Sequence, residues 1–185
     1  NSASGYDAYG GAIYGGDHSA ITLSNNGSVS FDGNSASGSG ADAFGGAIYG
    51  DWYSTITLSN NGSVSFSGNS ASGYNADGGA IKGSAITLSN NGSVSFSGNT
   101  ATASGYNASG GAIYTTRDLN IRNNGYVLFE KNAEIEGDTY RLRSIYAGGD
   151  GVISLSAAEG KKIEFRDSVY IDSDYTIKLN EDYTD

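Results

Sequence analysis

Apolar and polar residues alternate in Ile86-Thr87-Leu88-Ser89, break at Asn90-Asn91-Gly92, and alternate again in Ser93-Val94-Ser95-Phe96. A period of two over so few residues predicts half-buried strands, and Asn-Asn-Gly between them predicts a corner. Nearly the same stretch fills residues 21–34, 56–69 and 86–99, with a weathered copy at 119–132. Ahead of each copy lies Gly-Gly-Ala-Ile. Its isoleucines, Ile13, Ile48, Ile81 and Ile113, with Ile145 in the same phase, are spaced by 35, 33, 32 and 32 residues. Each repeat therefore has one strand at that isoleucine, a second around Ile21/Leu23, Ile56/Leu58, Ile86/Leu88, Leu119/Ile121 and Ile153/Leu155, and a third around Val29/Phe31, Val64/Phe66, Val94/Phe96, Val127/Phe129 and Ile163/Phe165.

Two architectures compete for this pattern. Asn-Asn-Gly can close a hairpin and build antiparallel blades, but a propeller blade needs four strands and usually about 40 residues or more. Three strands per repeat fit a parallel β-helix of about five to six coils, in which each strand pairs with its counterpart in the next coil. Ile then stacks on Ile, and Phe31, Phe66, Phe96 and Phe129 on one another. Lys82 stands where Tyr14, Tyr49, Tyr114 and Tyr146 stand, so the tyrosine position is expected to face water and the isoleucine position the core. The asparagines ending Phe-x-x-Asn, Asn34, Asn69, Asn99 and Asn132, either form a ladder of stacked amides or supply a left-handed turn. Ser35–Phe44, Ser70–Asp77, Thr100–Ser109 and Ala133–Arg143 vary in length and are expected to be loops projecting from one corner.

Residues 1–116 carry six Asp and one Lys, whereas 117–185 carry fourteen acidic and nine basic residues. The chain accordingly divides into near-identical repeats at 1–116 and diverged, more charged coils at 117–185 that continue the same solenoid. There the corner is Ala157-Ala158-Glu159-Gly160, and Ser168 stands where Asn is expected after Phe165. Val169–Ile171 and Thr176–Leu179 open a sixth coil, its charges blunting the end against edge pairing. The apolar fraction is only 37%, which fits a thin repeated core. The net charge of −10 excludes nucleic acid and anionic membrane surfaces as partners. The chain has no cysteine and no long apolar run, so neither a disulfide nor membrane insertion by this segment is expected. It starts at Asn1, without Met and within a repeat, and is expected to be a piece of a longer protein.

The four Gly-Gly-Ala-Ile motifs, in phase with Phe31–Asn34, Phe66–Asn69, Phe96–Asn99 and Phe129–Asn132, resemble the repeats of chlamydial polymorphic membrane proteins. Ser144-Ile145-Tyr146, followed by the stretch at 155–160 and by 163–167, looks like the segment that follows those repeats. The resemblance implies a right-handed β-helical autotransporter passenger, displayed at the bacterial cell surface as an adhesin. In the intact protein it implies continuation into further coils or a translocator barrel. The repeats here are more alike and poorer in cysteine than is usual in that family.

Candidate chemistry is sparse. His18 is the only histidine and sits in a Gly-Gly-Asp-His-Ser loop, and no nucleophile with a paired base can be assembled. No catalytic residue, cofactor or metal site is therefore expected. A polysaccharide-active β-helix, the alternative, would have to use Glu134, Glu136 and Asp138, or Asp172 with Asp174. Asn26, Asn61, Asn91 and Asn107 match the glycosylation pattern, the first three being better explained as corners. The Thr22/Ser24, Thr57/Ser59 and Thr87/Ser89 columns resemble an ice-binding array but break at Asn120/Arg122. The calcium nonapeptide is not matched. What remains is aromatic. Tyr14, Tyr49, Tyr114 and Tyr146 line up on one face, with Trp52, Tyr53, Phe44, Tyr74 and Tyr106 in adjoining loops. Such rings suit contact with a host surface protein or a glycan, or serve only to stabilise the sheet; a purely structural stalk is the third reading.

Overall fold

The Gly-Gly pair sets the path of the first four coils. In a computed structural model describing residues 1–179, the first glycine of each pair, such as Gly78, has φ +64°, and a Cβ there would lie 2.1 Å from the Ile81 carbonyl. A Cβ on Gly79 would lie 2.1 Å from the Gly111 carbonyl of the next coil, so only glycine lets the coils approach.

The first coil comprises β1 (Ser2–Gly5), β2 (Ala8–Tyr9), β3 (Ile13–Gly15), β4 (Ala20–Ser24) and β5 (Ser28–Asp32). The second repeats this as β6 (Ser35–Gly38), β7 (Ala43–Phe44), β8 (Ile48–Gly50), β9 (Thr55–Ser59) and β10 (Ser63–Ser67). The third is β11 (Ser70–Gly73), β12 (Ala76–Asp77), β13 (Ile81–Gly83), β14 (Ala85–Ser89) and β15 (Ser93–Ser97). The fourth is β16 (Thr100–Ala103), β17 (Ala108–Ser109), β18 (Ile113–Thr115) and the long β19 (Leu119–Glu130), which runs through its Asn-Asn-Gly corner. The chain then forms β20 (Ala133–Glu136), β21 (Thr139–Ala147), β22 (Gly151–Phe165), β23 (Ser168–Ile171) and β24 (Tyr175–Leu179). Residues 180–185 of the diverged region lie outside the described residues.

Each strand pairs in parallel with its counterpart in the neighbouring coil, Ile56 with Ile86 and Phe66 with Phe96, and Asn-Asn-Gly closes no hairpin. This is a parallel β-helix. Ile48, Ile81, Ile113 and Ile145 are all buried, as expected of the isoleucine position. Phe31, Phe66, Phe96, Phe129 and Phe165 stack with ring centroids 4.8 or 4.9 Å apart, the spacing of neighbouring strands. Burying such a ring is worth about 2–3 kcal/mol, so the column carries much of the thin core.

The segments expected to be loops are ordered. Ser35–Phe44, Ser70–Asp77 and Thr100–Ser109 each contain two further strands, giving five per coil in the first three coils, and Ala133–Arg143 holds β20 and the start of β21. The Ser-Ala-Ser-Gly strands β1, β6 and β11 and the Thr-Ala-Thr-Ala strand β16 stack in one ladder, and the two-residue strands β2, β7, β12 and β17 in another. Between them lies a second core made only of alanine, Ala43, Ala71, Ala76, Ala101, Ala103 and Ala108. Methyl groups suffice because the two layers of this flap lie close together.

The asparagines ending Phe-x-x-Asn form the ladder rather than the left-handed turn. Asn69 Oδ1 accepts from Asn34 N and Nδ2, both at 2.9 Å, while Asn69 Nδ2 donates to Phe31 O (3.0 Å) and Asn99 Oδ1 (2.9 Å). The left-handed conformation falls on the preceding residue, Gly33, Gly68, Gly98 and Lys131. Asn-Asn-Gly holds a second ladder that periodicity alone does not reveal. Its first asparagine, such as Asn90 (φ 55°), takes the positive φ, and the second, Asn26, Asn61, Asn91 and Asn124, stacks on its counterparts.

The flap ends at the fourth and fifth coils. β20 and β21 form a hairpin, the one antiparallel pair among the described strands. In the flap ladder, the Gly45 and Gly78 N–H groups donate to the carbonyls of Asp77 and Ser109 in the next coil. β17 has no such neighbour, and carboxylates replace it: Gly110 N donates to Glu134 Oε1 at 2.7 Å and Ala108 N to Glu136 Oε1 at 3.1 Å. Arg143 and Arg141 neutralise these carboxylates at 2.7 and 2.8 Å. Glu134 is fully buried in what is otherwise an alanine column, and burial pushes its pKa up to about 7 against the pull of those donors. The Phe-x-x-Asn ladder ends one residue earlier than expected, on Asp167 rather than Ser168. Asp167 accepts from Lys131 N, Asn132 N and Nδ2, and Ser144 Oγ.

Candidate functional site

The tyrosine position points away from the main core, but not into open water. It faces the flap, and between the two lies a cleft of about 590 Å³. One wall is the outward row of β8, β13 and β18, namely Tyr49, Lys82 and Tyr114; the other is the flap edge, with Tyr9, Asp42 and Phe44. Asp51 and Trp52, in the turn after β8, line it as well.

The expectation that this position is solvated holds for Tyr14, which is 54% exposed, and fails for Tyr49, which is 6% exposed. It also fails for Lys82, whose side chain is 15% exposed. Lys82 is tolerated because it is paired. Its Nζ lies 2.9 Å from Asp77 Oδ2 and 3.0 Å from the centre of the Phe44 ring, with Tyr114 and Tyr49 at 5.2 and 5.8 Å. Burial pushes the lysine pKa down and the aspartate pKa up, while their mutual attraction opposes both shifts.

Above this lysine the rings pack on one another. Tyr9 lies 5.5 Å from Phe44 and 5.1 Å from Tyr49, and Tyr14 stacks on Tyr49 at 5.6 Å. Asp51 organises their polar tips: its Oδ1 accepts from Tyr49 Oη (2.9 Å) and Trp52 N (2.8 Å), and its Oδ2 from Tyr14 Oη at 3.4 Å. Burial, and then the Asp51 hydrogen bond, push the Tyr49 phenol well above its usual range. Trp52, held at its backbone by this carboxylate, is 73% exposed at the mouth. Below the lysine, Tyr114, Tyr146 and Tyr170 stack at 5.6 and 4.5 Å.

The predicted aromatic residues thus separate. Tyr14, Tyr49, Tyr114 and Tyr146 share one column, interrupted by Lys82, and Trp52 adjoins it. Tyr53 belongs to a neighbouring recess of about 380 Å³, its ring stacked on His18 at 5.1 Å and under the Arg117 guanidinium at 4.4 Å. Tyr74 and Tyr106 lie at the flap tips, exposed and outside the cleft. Of the acids proposed for an enzyme, Glu134 and Glu136 are engaged in capping the flap edge, and Asp172 accepts from the neighbouring Ser173 N at 2.7 Å. Asn61 and Asn91 are buried ladder residues.

Sequence reasoning missed Tyr9, Asp42, Asp51 and Asp77. One signal was available: Tyr9, Phe44, Asp77 and Ser109 directly precede the Gly-Gly pairs, five residues before Tyr14, Tyr49, Lys82 and Tyr114. The repeat that replaces Tyr with Lys is the one that replaces an aromatic with Asp.

With its ring faces, phenolic groups and carboxylate acceptors converging on an open cleft, the site is chemically suited to recognition. Comparison of the chain with protein-family models, curated proteins and solved structures found no match.

Proposed function

We propose that this chain is a non-catalytic binding segment of a bacterial surface adhesin, an extracellular passenger that meets a host surface protein or glycan through the aromatic cleft. The observation that carries this reading is the cleft itself: Tyr49, Phe44 and Tyr114 on its walls and Trp52 at its mouth, held by a rigid stack of coils. Aromatic side chains with polar tips supply contact area at small entropic cost and concentrate where proteins bind partners. The motif resemblance to polymorphic membrane protein repeats supports surface display.

The test is binding to host cells and to a glycan array by the wild type and by Tyr49→Ala with Trp52→Ala. A loss of at least tenfold in apparent affinity, with the β-sheet spectrum unchanged, is expected. Unchanged binding in the double variant removes the cleft from the function. The stalk reading is favoured by one feature, the mutual stacking of Tyr114, Tyr146 and Tyr170. It is the outcome if the wild type binds nothing.

A further inference from the structure

Several outward rings are matched with cations from the chain itself. Arg117 covers Tyr53 at 4.4 Å, Arg143 lies 5.2 Å from Tyr170 and 5.9 Å from Tyr146, and Lys162 lies 5.5 Å from Tyr126. Lys82 does the same for Phe44, with Asp77 beside it. The upper end of the cleft has rings and acids, and the one cation in the cleft, Lys82, is paired with Asp77 and reaches Asp42, Asp51 and the Tyr49 ring only at longer range. Tyr9, Tyr14, Tyr49 and Trp52 surround or adjoin Asp51, with Asp42 on the flap side, and none of the ion pairs among the described residues involves Asp42 or Asp51. Residues 1–116 contain a single lysine, Lys82, and no arginine, so the repeats cannot supply another such cation. Burial, and then the charges of Asp7, Asp42 and Asp51, push the Tyr9 phenol up.

We propose that the upper cleft receives the cationic side chain of a lysine- or arginine-bearing segment of a partner protein, seated against the exposed Trp52 ring, with Tyr49 behind it in the wall, and facing Asp51 and Asp42. This rests on the cleft being the binding site and names its ligand class. An ammonium or guanidinium over a ring face is attracted by the ring quadrupole, and a carboxylate beside it adds a screened charge interaction. Lys82 shows the arrangement in place one coil below, with aromatic rings on three sides and a carboxylate at 2.9 Å.

The single tryptophan, Trp52, reports on the site directly. Its fluorescence would be titrated with a short peptide carrying two lysines, with the same peptide acetylated at both amines, and with a neutral hexasaccharide. The lysine peptide is expected to give a saturable change that weakens with added salt. Acetylation should weaken it at least tenfold, and Asp42→Asn with Asp51→Asn at least fivefold. Asp32→Asn with Asp138→Asn removes the same charge elsewhere and should change affinity less than twofold. Equal binding of the acetylated peptide, or equal weakening by the two double variants, overturns the proposal. If the hexasaccharide or acetylated peptide binds, is lost in Tyr49→Ala and ignores the aspartate variants, the cation falls while the cleft survives as the site. If no probe perturbs Trp52 and the wild type binds neither cells nor glycans, both fall.

Discussion

Coils one to three and coils four to six solve the same problem with different chemistry. In the upper coils, each backbone group on a strand edge meets its counterpart in the next copy, and the outer faces of β4, β5, β9, β10, β14 and β15 are nearly all Ser and Thr. In the lower coils the copies stop matching, and charged side chains take over. Asp167 continues a ladder of asparagines, Glu134 and Glu136 stand in for the carbonyls of a missing strand, and Arg166 bridges Glu130 and Glu164 at 2.7 Å each. The contrast teaches that a stack of copies needs few charges while it continues and many where one of its ladders ends. A carboxylate can accept from a backbone N–H that has lost its strand, and its own cost of burial is then offset by an arginine.

The sharpest way to break the comparison is through the phenylalanine column, because its members differ mainly in position. Phe96 is fully buried between Phe66 and Phe129, whereas Phe165 stacks on one neighbour and is half-buried. Phe96→Ala is expected to cost about 3–5 kcal/mol in urea unfolding, and Phe165→Ala about 2 kcal/mol. Equal costs would mean that the lower coils are packed as tightly as the upper ones and that the difference lies only at the surface.

Glu134 tests the lower region through pH. Its folded-state pKa, raised from 4.5 to about 7, means that the folded protein holds a proton the unfolded chain has lost between those values. Its contribution is therefore fully present below pH 4.5 and is lost as pH rises to 7, by about 3 kcal/mol at most. Glu136 works in the opposite sense: its hydrogen bond to Arg141 holds its pKa down, so its stabilisation is present above the unfolded value and lost on acidification. Thermal unfolding of wild type and Glu134→Gln from pH 4 to 8 should show the wild type losing ground to the variant as pH rises. Parallel curves would remove the titration from this site.

Next comes the amide ladder in the upper coils. Asn99→Ala removes the acceptor of Asn69 N and Nδ2 and the donor to Phe66 O, all in a fully buried corner. Leaving those groups unpaired is expected to cost about 2–3 kcal/mol, against a few tenths for Asn90→Gly, which keeps the positive φ at the other corner. Hydrogen exchange at Asn69 N should accelerate in the first variant alone.

Much of this fold could be read from the chain because the repeats are nearly identical. Stacking Ile on Ile and Phe on Phe needs only the phase of the pattern. The flap was harder: Ser-Ala-Ser-Gly and Ala-Phe are too short and too small to show a period, and their alanine core has the composition of a linker. The cleft was half legible. Its tyrosines repeat in phase, but whether Tyr49 faces water depends on the flap opposite, and the lysine that suggested exposure is buried because Asp77 pairs with it.

The smallest effect separates charge from shape at the junction of the two regions. Asp167 Oδ2 accepts from Asn132 N, Asn132 Nδ2 and Ser144 Oγ, as an asparagine Oδ1 would, and only its Oδ1, accepting from Lys131 N at 2.9 Å, needs the second oxygen. Asp167→Asn should therefore cost about 1 kcal/mol, the net worth of one hydrogen bond, and the loss should be localised at Lys131. Asn132→Asp makes the complementary test in the coil above, placing a carboxylate against Asp167 and removing the Nδ2 donor to Phe96 O at 3.0 Å. If Asp167→Asn costs more than Asn132→Asp, the negative charge itself holds the lower coils on, and the neutral ladder above is not their equivalent.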